Sequence, residues 1–350
     1  MKKIGFIGLG IMGLPMAGHL MDAGYEMHIY ARHPEKVTSL VEKGATLHST
    51  IHDCVKDVDA VMTIVGFPQD VEEVYFNDNN ILDSVKEGTY LIDMTTTSPT
   101  LDQRIYEEGK KRNLHVLDAP VTGGDTGAKN ATLSILVGGD KEDYEACLPL
   151  FEAMGTNINY QGPSGSGQHA KMANQIMIAG ALSGVCEALT YASSKDLDLD
   201  VLLKSVSTGA AGSHQLDAFG PKILKADYQP GFFMKHFIKD MKLADEEAKE
   251  SDITLNVLET VLRNYQELEK EGYGDLGTQA LIKYYGLEVR TISWTKDDAM
   301  EENIWHIRNK KNSRHLPFMM KLVQYPKSSI NLAIQPDRIC IHGSKTEILK

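Results

Sequence analysis

The stretch that decides the fold is MKKIGFIGLGIMGLPMAGHL, residues 1–20. Two lysines followed by an apolar run are typical of a secretory signal, whereas Gly8, Gly10 and Gly13 have the G-x-G-x-x-G spacing of a nucleotide-binding loop. A signal peptide needs a small-residue cleavage site after its apolar segment, and the residues that follow offer no good one. The signal interpretation also leaves the three glycines unexplained.

The residues on either side of the glycines predict a strand, a turn, a helix and a second strand. Residues 3–7 form a short apolar run that ends in glycine, as a buried parallel strand does. Residues 11–23 fit a helix that stops at Gly24, and residues 26–31 form the second strand. In this order, the glycine spacing predicts dinucleotide binding rather than only a tight turn.

Each glycine has a physical role in such a loop. Gly8 permits the tight turn, Gly10 lets the backbone approach a pyrophosphate, and Gly13 lets the helix pack closely on its strand. The predicted cofactor-binding loop comprises Gly8, Leu9, Gly10, Ile11, Met12 and Gly13.

The end of the second strand bears on the choice between NAD and NADP. An acid at this point would hold the ribose 2'-hydroxyl of NAD, but the first acid here is Glu35. Arg32 predicts NADP instead, because a guanidinium group forks onto the oxygens of a 2'-phosphate. The alternatives are a solvated surface arginine and NAD as the cofactor.

Four more apolar runs follow at 58–65, 89–94, 114–120 and 133–139, separated by helix-like segments. This alternation predicts an α/β fold, with a Rossmann-type, doubly wound, mostly parallel sheet in a first domain of residues 1–163. Ligands gather at the carboxyl ends of such strands. The loops at these ends contain Val65-Gly66-Phe67-Pro68, Thr95-Thr96-Thr97 and Thr122-Gly123-Gly124. Val65 and Gly66 are predicted to contact the cofactor.

The pattern becomes all-helical after residue 163, which predicts a second domain of residues 164–286. Its first segment, 167–194, has small and apolar residues on most faces and predicts a long interdomain helix buried nearly all round. Polar residues interrupt this segment too often for a membrane span: Lys171, Asn174, Gln175 and Glu187. Further helices are predicted at 199–208, 234–250 and 253–271.

The segment 287–350 differs from the rest of the chain. It holds 11 of the Lys and Arg residues against 7 of the Asp and Glu residues, whereas the remainder is acidic. Periodicity is poor, and residues 311–336 indicate no clear element. We interpret it as an atypical, poorly ordered extension, as residues outside the natural reading frame would be; an added partner-binding segment is the alternative.

Composition narrows the class of protein. A chain of 350 residues with 42% hydrophobic content can bury a sizeable core in two domains. The net charge of -12 argues against nucleic-acid binding. The cysteines are far apart and form no C-x-x-C pair, so neither a metal site nor a disulfide framework is predicted: Cys54, Cys147, Cys186 and Cys340. This usage indicates a reducing, cytoplasmic compartment.

The most informative site candidate is GSGQHAKMANQ, residues 165–175. Lys171, Asn174 and Gln175 lie at i, i+3 and i+4 of a helix, so one ammonium and two amides face the same way. A partly desolvated lysine near a nicotinamide can exchange a proton with a hydroxyl or carbonyl oxygen, because burial lowers its pKa. The alternative is a solvated charge near a helix start.

Residues 1–286 resemble the β-hydroxyacid dehydrogenase family, which includes 3-hydroxyisobutyrate dehydrogenases and tartronate semialdehyde reductases. Four blocks match the family pattern in order: GLGIMGLPM near the start, DAPVTGG at 118–124, GSGQHAKMANQ at 165–175 and FIKDMKLA at 237–244. The resemblance implies hydride transfer between NADP(H) and a small β-hydroxy acid or its semialdehyde.

The resemblance also implies roles at individual positions. Lys171 matches the catalytic acid/base, Thr96 a residue beside the nicotinamide, and Lys239 a lysine that reaches the cofactor. The substrate carboxylate would bind Thr122, Gly123 and Gly124, with threonine where the family usually has serine.

Two further positions depart from the family pattern. The amide four residues after the lysine is often asparagine and here is Gln175, so both Asn174 and Gln175 are candidates to orient the substrate. His214 replaces an aromatic residue near the substrate; a surface histidine is the alternative.

The resemblance implies a homo-oligomer assembled through the helical domain, with no nucleic-acid or membrane partner. A 6-phosphogluconate-type dehydrogenase is a rival, weakened because KMANQ lacks that relative's histidine-asparagine pairing. Imine reductases generally lack the lysine. A non-catalytic dinucleotide sensor is the rival from another class.

Overall fold

The computed structural model describes residues 1–78, 80–287, 331–335 and 338–342. The chain divides into two units, Met1–Thr291 and Ile292–Lys350, which are described separately. The strands of the first unit are β1 Lys3–Ile7, β2 Glu26–Tyr30, β3 Thr46–His48, β4 Ala60–Thr63, β5 Tyr90–Asp93, β6 His115–Asp118, β7 Val121–Thr122, β8 Leu133–Gly139 and β9 Gly155–Gly162.

Helices accompany these strands and then replace them. The helices are α1 Gly13–Asp22, α2 Thr38–Glu42, α3 Ile51–Val55, α4 Pro68–Phe76, α5 Ile81–Ser84, α6 Pro99–Lys110, α7 Gly124–Lys129, α8 Lys141–Glu152, α9 Ser166–Ser194, α10 Leu199–Val206, α11 His214–Leu224, α12 Met234–Glu250 and α13 Asn256–Lys270. Two 3-10 helices cover Pro34–Lys36 and Thr278–Tyr285.

The strands of the first unit form one sheet in the order β3-β2-β1-β4-β5-β6-β8-β7, with β9 beside β8. Pairing is parallel from β3 to β6 and between β8 and β9, whereas β8 is antiparallel to β6 and β7. The predicted Rossmann-type, doubly wound, mostly parallel sheet is confirmed.

Both faces of the sheet are covered, which explains why its strands are continuous apolar runs. Successive side chains of a strand point to opposite faces. Met62 and Ile92 accordingly join one buried cluster, with the helix residue Leu20, whereas Val61 and Leu91 join another cluster on the opposite face. A sheet buried on both sides needs no polar alternation.

The first helix begins two residues later than the sequence predicts. Strand β1 covers the predicted residues, but α1 begins at Gly13, because residues 8–12 form the connecting loop. Its end matches the prediction, since Ala23 closes the helix and Gly24 adopts a φ of +92°. A positive φ is available to glycine without steric cost.

The helical part packs around α9. Phe237 and Met241 of α12 and Tyr265 of α13 are fully buried in one apolar cluster with Leu182 of α9. Helix α12 has its predicted bounds, whereas α10 and α13 are shorter than predicted. Helix α11 and the 3-10 helix at Thr278–Tyr285 were not anticipated from the sequence pattern.

The prediction that α9 is buried nearly all round is wrong. Met177 is 68% exposed and Tyr191 is 65% exposed, and they lie four turns apart on the same side of the helix. Buried residues such as Leu182 and Cys186 lie on the opposite side of the helix. Among the described residues, α9 is the one helix long and apolar enough to cross a membrane by length and composition, and 39% of its apolar window is buried.

Only two short stretches of the second unit are described. Strands β10 Asn331–Gln335 and β11 Arg338–His342 form an antiparallel pair. The prediction of no clear element over 311–336 is therefore wrong for residues 331–335. The apolar run there, Leu332-Ala333-Ile334, is only three residues long, so the signal is weak. The interpretation of the remaining residues of 287–350 lies outside the described part.

Candidate active site

The predicted loops meet at one edge of the sheet. Strands β1, β4, β5 and β6 are parallel and in register, so their carboxyl ends lie side by side. The strand order reverses between β1 and β4, because β2 and β3 lie on one side of β1 and the later strands on the other. A crevice for ligands forms at such a reversal.

The glycine loop has the geometry that a bound phosphate group requires. A side-chain carbon at Gly8 would lie 2.1 Å from the carbonyl oxygen of Ile64, and one at Gly13 would lie 2.0 Å from that of Gly8. At Gly10, by contrast, nothing lies within 4 Å of that position. Packing therefore excludes side chains at Gly8 and Gly13. Gly10 leaves the backbone accessible to a ligand.

The helix that follows this loop supports the same conclusion. No side chain caps the N-terminus of α1. The N–H of Leu14 donates to the carbonyl oxygen of Gly10 and Pro15 has no N–H, so an anion would meet the amide of Gly13 and the positive end of the helix. Gly10 and Ile11 are exposed, and Leu9 and Met12 are half-buried. The residues present fit the diphosphate of a dinucleotide.

Arg32 lies just after β2, where the sequence predicts it. Its side chain is 65% exposed, and Nη1 donates a hydrogen bond to Oδ1 of Asp70 across 3.1 Å. Oδ2 of Asp70 accepts a hydrogen bond from the backbone N–H of Phe67. Sequence reasoning missed Asp70, which brings an acid from α4 to the end of β2.

Lys171 is buried where α9 meets β7. Its Nζ donates a hydrogen bond to the carbonyl oxygen of Val121 across 2.8 Å. Burial lowers the pKa of Lys171 to about 8; the charge of Lys239 adds to this shift, and the charge of Asp240 opposes it. Thr122 is next in the chain, so the structure brings the lysine and the predicted carboxylate-binding turn together.

That turn has an unusual backbone. Thr122 ends β7 and is half-buried, and Gly123 and Gly124 follow with φ of +128° and +62°. Two successive residues with positive φ explain why both are glycine.

The two predicted amides are in different situations. Gln175 is buried, and its Nε2 donates to Oδ2 of Asp240 across 2.6 Å. Asn174 is half-buried, and its Nδ2 donates to Oε1 of Gln175 across 2.7 Å. Asp240 was missed, although it follows Lys239 in the block FIKDMKLA.

Thr96 and Lys239 are also brought together. Nζ of Lys239 donates a hydrogen bond to the carbonyl oxygen of Thr96 and lies 2.9 Å from Oδ1 of Asp240. One turn earlier, the His236 ring packs against that of Phe67, with ring centres 4.9 Å apart and an interplanar angle of 41°. Burial lowers the pKa of His236, which hydrogen-bonds the backbone of Gly66.

Two predicted positions lie at the edges of this arrangement. The N–H of Val65 donates to Oγ1 of Thr95, so the backbone there joins the loops after β4 and β5. His214 is exposed as the first residue of α11, and Ser213 caps that helix by accepting from the N–H of Leu216. Within the described residues, no group of three or more His, Cys, Asp or Glu side chains could hold a metal ion.

A Rossmann-type sheet, a glycine loop and a buried lysine at the strand ends define a dinucleotide-dependent oxidoreductase. Residues 3–162 match the NAD binding domain of 6-phosphogluconate dehydrogenase. Residues 165–285 match the NAD-binding domain of NADP-dependent 3-hydroxyisobutyrate dehydrogenase.

Comparison with similar proteins identifies the family within this class. It is 49% identical to an uncharacterised oxidoreductase of Bacillus subtilis, over 81% of this chain and 99% of that one. It is 42% identical to a probable 3-hydroxyisobutyrate dehydrogenase-like protein of Arabidopsis thaliana, over 80% of this chain and 84% of that one. A structure of 3-hydroxyisobutyrate dehydrogenase from Mycobacterium tuberculosis with L-serine has a TM-score of 0.74 at 26% sequence identity. The match covers 81% of this chain and 98% of that one. The chain belongs to the β-hydroxyacid dehydrogenase family and is an NAD(P)-dependent oxidoreductase acting on hydroxyl groups.

Proposed function

We propose that this protein transfers a hydride reversibly between NADP(H) and a small β-hydroxy acid or its semialdehyde, with Lys171 as the general acid/base. The observation that carries this proposal is the buried Lys171 ammonium, which has a pKa of about 8 and lies one residue from the Thr122 turn. A pKa in this range leaves both the charged and the neutral amine populated near neutrality.

The cofactor supplies or accepts the hydride, and the protein handles the proton. In reduction, Lys171 gives its proton to the carbonyl oxygen; in oxidation, the neutral amine takes the proton of the hydroxyl group. The Thr122 hydroxyl and the backbone of Gly123 and Gly124 would hold the substrate carboxylate. The Gln175 amide is engaged at both ends, by Asp240 and by Asn174, whereas Asn174 uses only one N–H, so Asn174 is the amide proposed to orient the substrate oxygen.

The proposed cofactor site combines the glycine loop with residues of the neighbouring strand ends: Val65, Gly66, Thr96 and Lys239. Arg32 is proposed to bind the 2'-phosphate of NADP. Its ion pair with Asp70 is compatible with this role, since the guanidinium is 65% exposed and has five N–H donors. NAD, with Asp70 near the ribose, is the alternative.

The proposed substrate class follows from the polar groups of the site. A hydroxyl, two glycine amides and a buried ammonium suit a short carboxylate with a neighbouring oxygen. The similar Mycobacterium tuberculosis protein is described with L-serine, a β-hydroxy carboxylate. We therefore favour substrates of this size over a sugar phosphate.

The domain organisation is also a proposal. Residues 1–163 would bind the cofactor, residues 164–286 would complete the substrate site, and residues 287–350 would not be required for the reaction. A cytoplasmic homo-oligomer that covers the exposed side of α9, including Met177 and Tyr191, is proposed.

Initial rates of the full chain test this function. NADPH and NADH are paired with tartronate semialdehyde, methylmalonate semialdehyde, succinic semialdehyde and glyoxylate. We expect turnover with at least one acid and a preference for NADPH. Absence of turnover with every pair, together with clear NADPH binding, would contradict the proposal and favour a dinucleotide sensor.

A further inference from the structure

Three buried aspartates lie beneath the Thr95–Thr97 loop. Asp93 ends β5, Asp118 ends β6 and Asp102 is in the first turn of α6; each is at most 3% exposed. Within the described residues, no Lys, Arg or His side chain forms an ion pair with any of them. Three ionised carboxylates without a cation would be very unfavourable at this depth.

Gln168 connects this cluster to the helix that carries Lys171. Its Nε2 donates to the carbonyl oxygen of Thr95 and to Oδ2 of Asp102, both across 2.7 Å. Its Oε1 accepts from the N–H of Thr97 across 3.2 Å. The side chain is fully buried, and both its NH₂ group and its oxygen are hydrogen-bonded. The first turn of α9 is therefore held against the loop that contains Thr96.

The backbone at the start of α9 is hydrogen-bonded to Asp118 of the same cluster. Oδ1 of Asp118 accepts from the N–H of Gly165 across 2.8 Å, and Oδ2 accepts from the N–H of Gln168 across 3.0 Å. The Asp118 carboxylate is therefore satisfied by amides at the helix start. Lys171 is one turn further along the same helix.

Asp93 and Asp102 are placed to share a proton. Oδ1 of Asp93 accepts from Thr63 Oγ1 and from the N–H of Thr95, whereas Oδ2 is buried without an N–H or O–H donor among the described residues. The Asp102 carboxyl lies within hydrogen-bonding reach of Asp93. Two carboxyl groups can hydrogen-bond each other only when one is protonated. Burial, followed by the charge of Asp93, raises the pKa of Asp102 well above its usual range.

We propose that protonated Asp102 and Gln168 are positioning residues, which set the place of Lys171 relative to the Thr95–Thr97 loop. The proton shared with Asp93 fixes the Asp102 carboxyl, Asp102 fixes the amide of Gln168, and Gln168 fixes the start of α9. This inference rests on the proposed function for its kinetic consequences, but its structural consequences can be measured separately.

Kinetics of four variants of the full chain provide the first test. Asp102→Asn keeps both contacts, since an amide oxygen accepts from Gln168 and an amide NH₂ donates to Asp93. Asp102→Ala and Gln168→Ala remove them. The matched control is Gln279→Ala, a buried glutamine whose Nε2 also joins two carbonyl oxygens, those of Asp227 and Gln229.

The expected kinetic result separates positioning from general stability. Asp102→Asn should keep kcat within about threefold, whereas Asp102→Ala and Gln168→Ala should lower it on the order of 10²-fold, because a displacement of about 1 Å has that effect. Gln279→Ala should lower Tm without lowering kcat. If Asp102→Asn lowers kcat as far as Asp102→Ala does, the proton assignment is wrong.

The pH dependence of Tm provides a test that needs no activity. A carboxyl whose pKa is raised by folding contributes stability below its unfolded value of about 3.9, and this contribution is lost as the pH rises. The amide introduced by Asp102→Asn has no proton to take up, so this variant should gain Tm relative to wild type as the pH rises above the unfolded value. The titratable groups facing Asp102 are Asp93, Asp118 and Tyr75, and they are unchanged in this variant.

Hydrogen exchange of the Thr97 amide completes the test. We expect slow exchange in wild type and Asp102→Asn, and faster exchange in Gln168→Ala. If wild type shows no turnover, the proposed function fails, while Tm and exchange still decide the positioning network. If wild type is active but folded Gln168→Ala keeps both its kcat and its Thr97 protection, the positioning inference is overturned.

Discussion

Lys171 donates a hydrogen bond to the carbonyl oxygen of Val121 across 2.8 Å, although 50 residues separate them in the chain. The contact places a buried ammonium beside the turn that begins at Thr122. Among the described residues no carboxylate accepts from Nζ directly, so burial dominates and the pKa of Lys171 falls to about 8. The lysine is therefore able to change its protonation state near neutral pH.

Opposite pH profiles are expected for the two directions of the reaction. Reduction needs the charged Lys171, so its kcat/KM should be constant at low pH and fall as the pH rises through about 8. Oxidation needs the neutral amine and should rise through the same value. Initial rates over roughly pH 6 to 10 measure both. If kcat/KM changes in the same direction for both reactions, or changes only near the ordinary pKa of lysine, Lys171 is not the general acid/base.

Alanine substitutions in the glycine loop should separate folding from cofactor binding. Gly13→Ala places a carbon 2.0 Å from the carbonyl oxygen of Gly8 and should destabilise the fold by on the order of 3 kcal/mol. Gly10→Ala meets nothing within 4 Å and should leave Tm nearly unchanged, while weakening cofactor binding about tenfold or more. Gly18→Ala in α1, with ordinary packing, is the control for both. Unchanged cofactor Kd in Gly10→Ala would contradict the loop assignment.

Arg32→Ala should change the preference between the two cofactors. Loss of a charge-assisted contact to the 2'-phosphate should raise the KM for NADPH about tenfold or more, with little effect on NADH. Stability should change by less than about 1 kcal/mol, because the Arg32 side chain is largely exposed. Lys36→Ala, which removes a nearby exposed charge, is the control. An equal change for both cofactors would indicate a surface arginine.

The hydroxyl group of Thr122 should matter for the substrate and not for the cofactor. Thr122→Val keeps the shape but removes the hydroxyl, and should raise substrate KM on the order of tenfold. Thr122→Ser keeps the hydroxyl and should retain affinity. Steady-state kinetics with saturating cofactor measure both variants. A normal substrate KM in Thr122→Val would remove this residue from the carboxylate site.

The sequence reveals those parts of the site that are local in the chain. The glycine loop and the spacing of Lys171, Asn174 and Gln175 are visible because each depends on one turn or one helix. The strand runs predict the sheet and its carboxyl edge in the same way. What a local pattern cannot provide is the partner that folding brings from a distance.

Asp70, Gln168 and Asp240 illustrate this limit. Asp70 is 38 residues from Arg32, Gln168 is 66 residues from Asp102, and Asp240 is 65 residues from Gln175. Each is an ordinary polar residue in sequence. Their importance depends on burial and hydrogen bonding, which only the fold determines. The exposed side of α9 was missed for a related reason, since small apolar residues alone do not show which side the chain covers.

The most direct measurement of the central claim compares Lys171→Ala with wild type for NADPH binding and for turnover of the best semialdehyde. Lys242→Ala, a change at an exposed lysine of α12, is the control. We predict that Lys171→Ala binds NADPH normally and loses kcat on the order of 10³-fold, since general acid–base catalysis contributes about 10² to 10⁴. A folded Lys171→Ala protein that retains wild-type kcat would contradict the account.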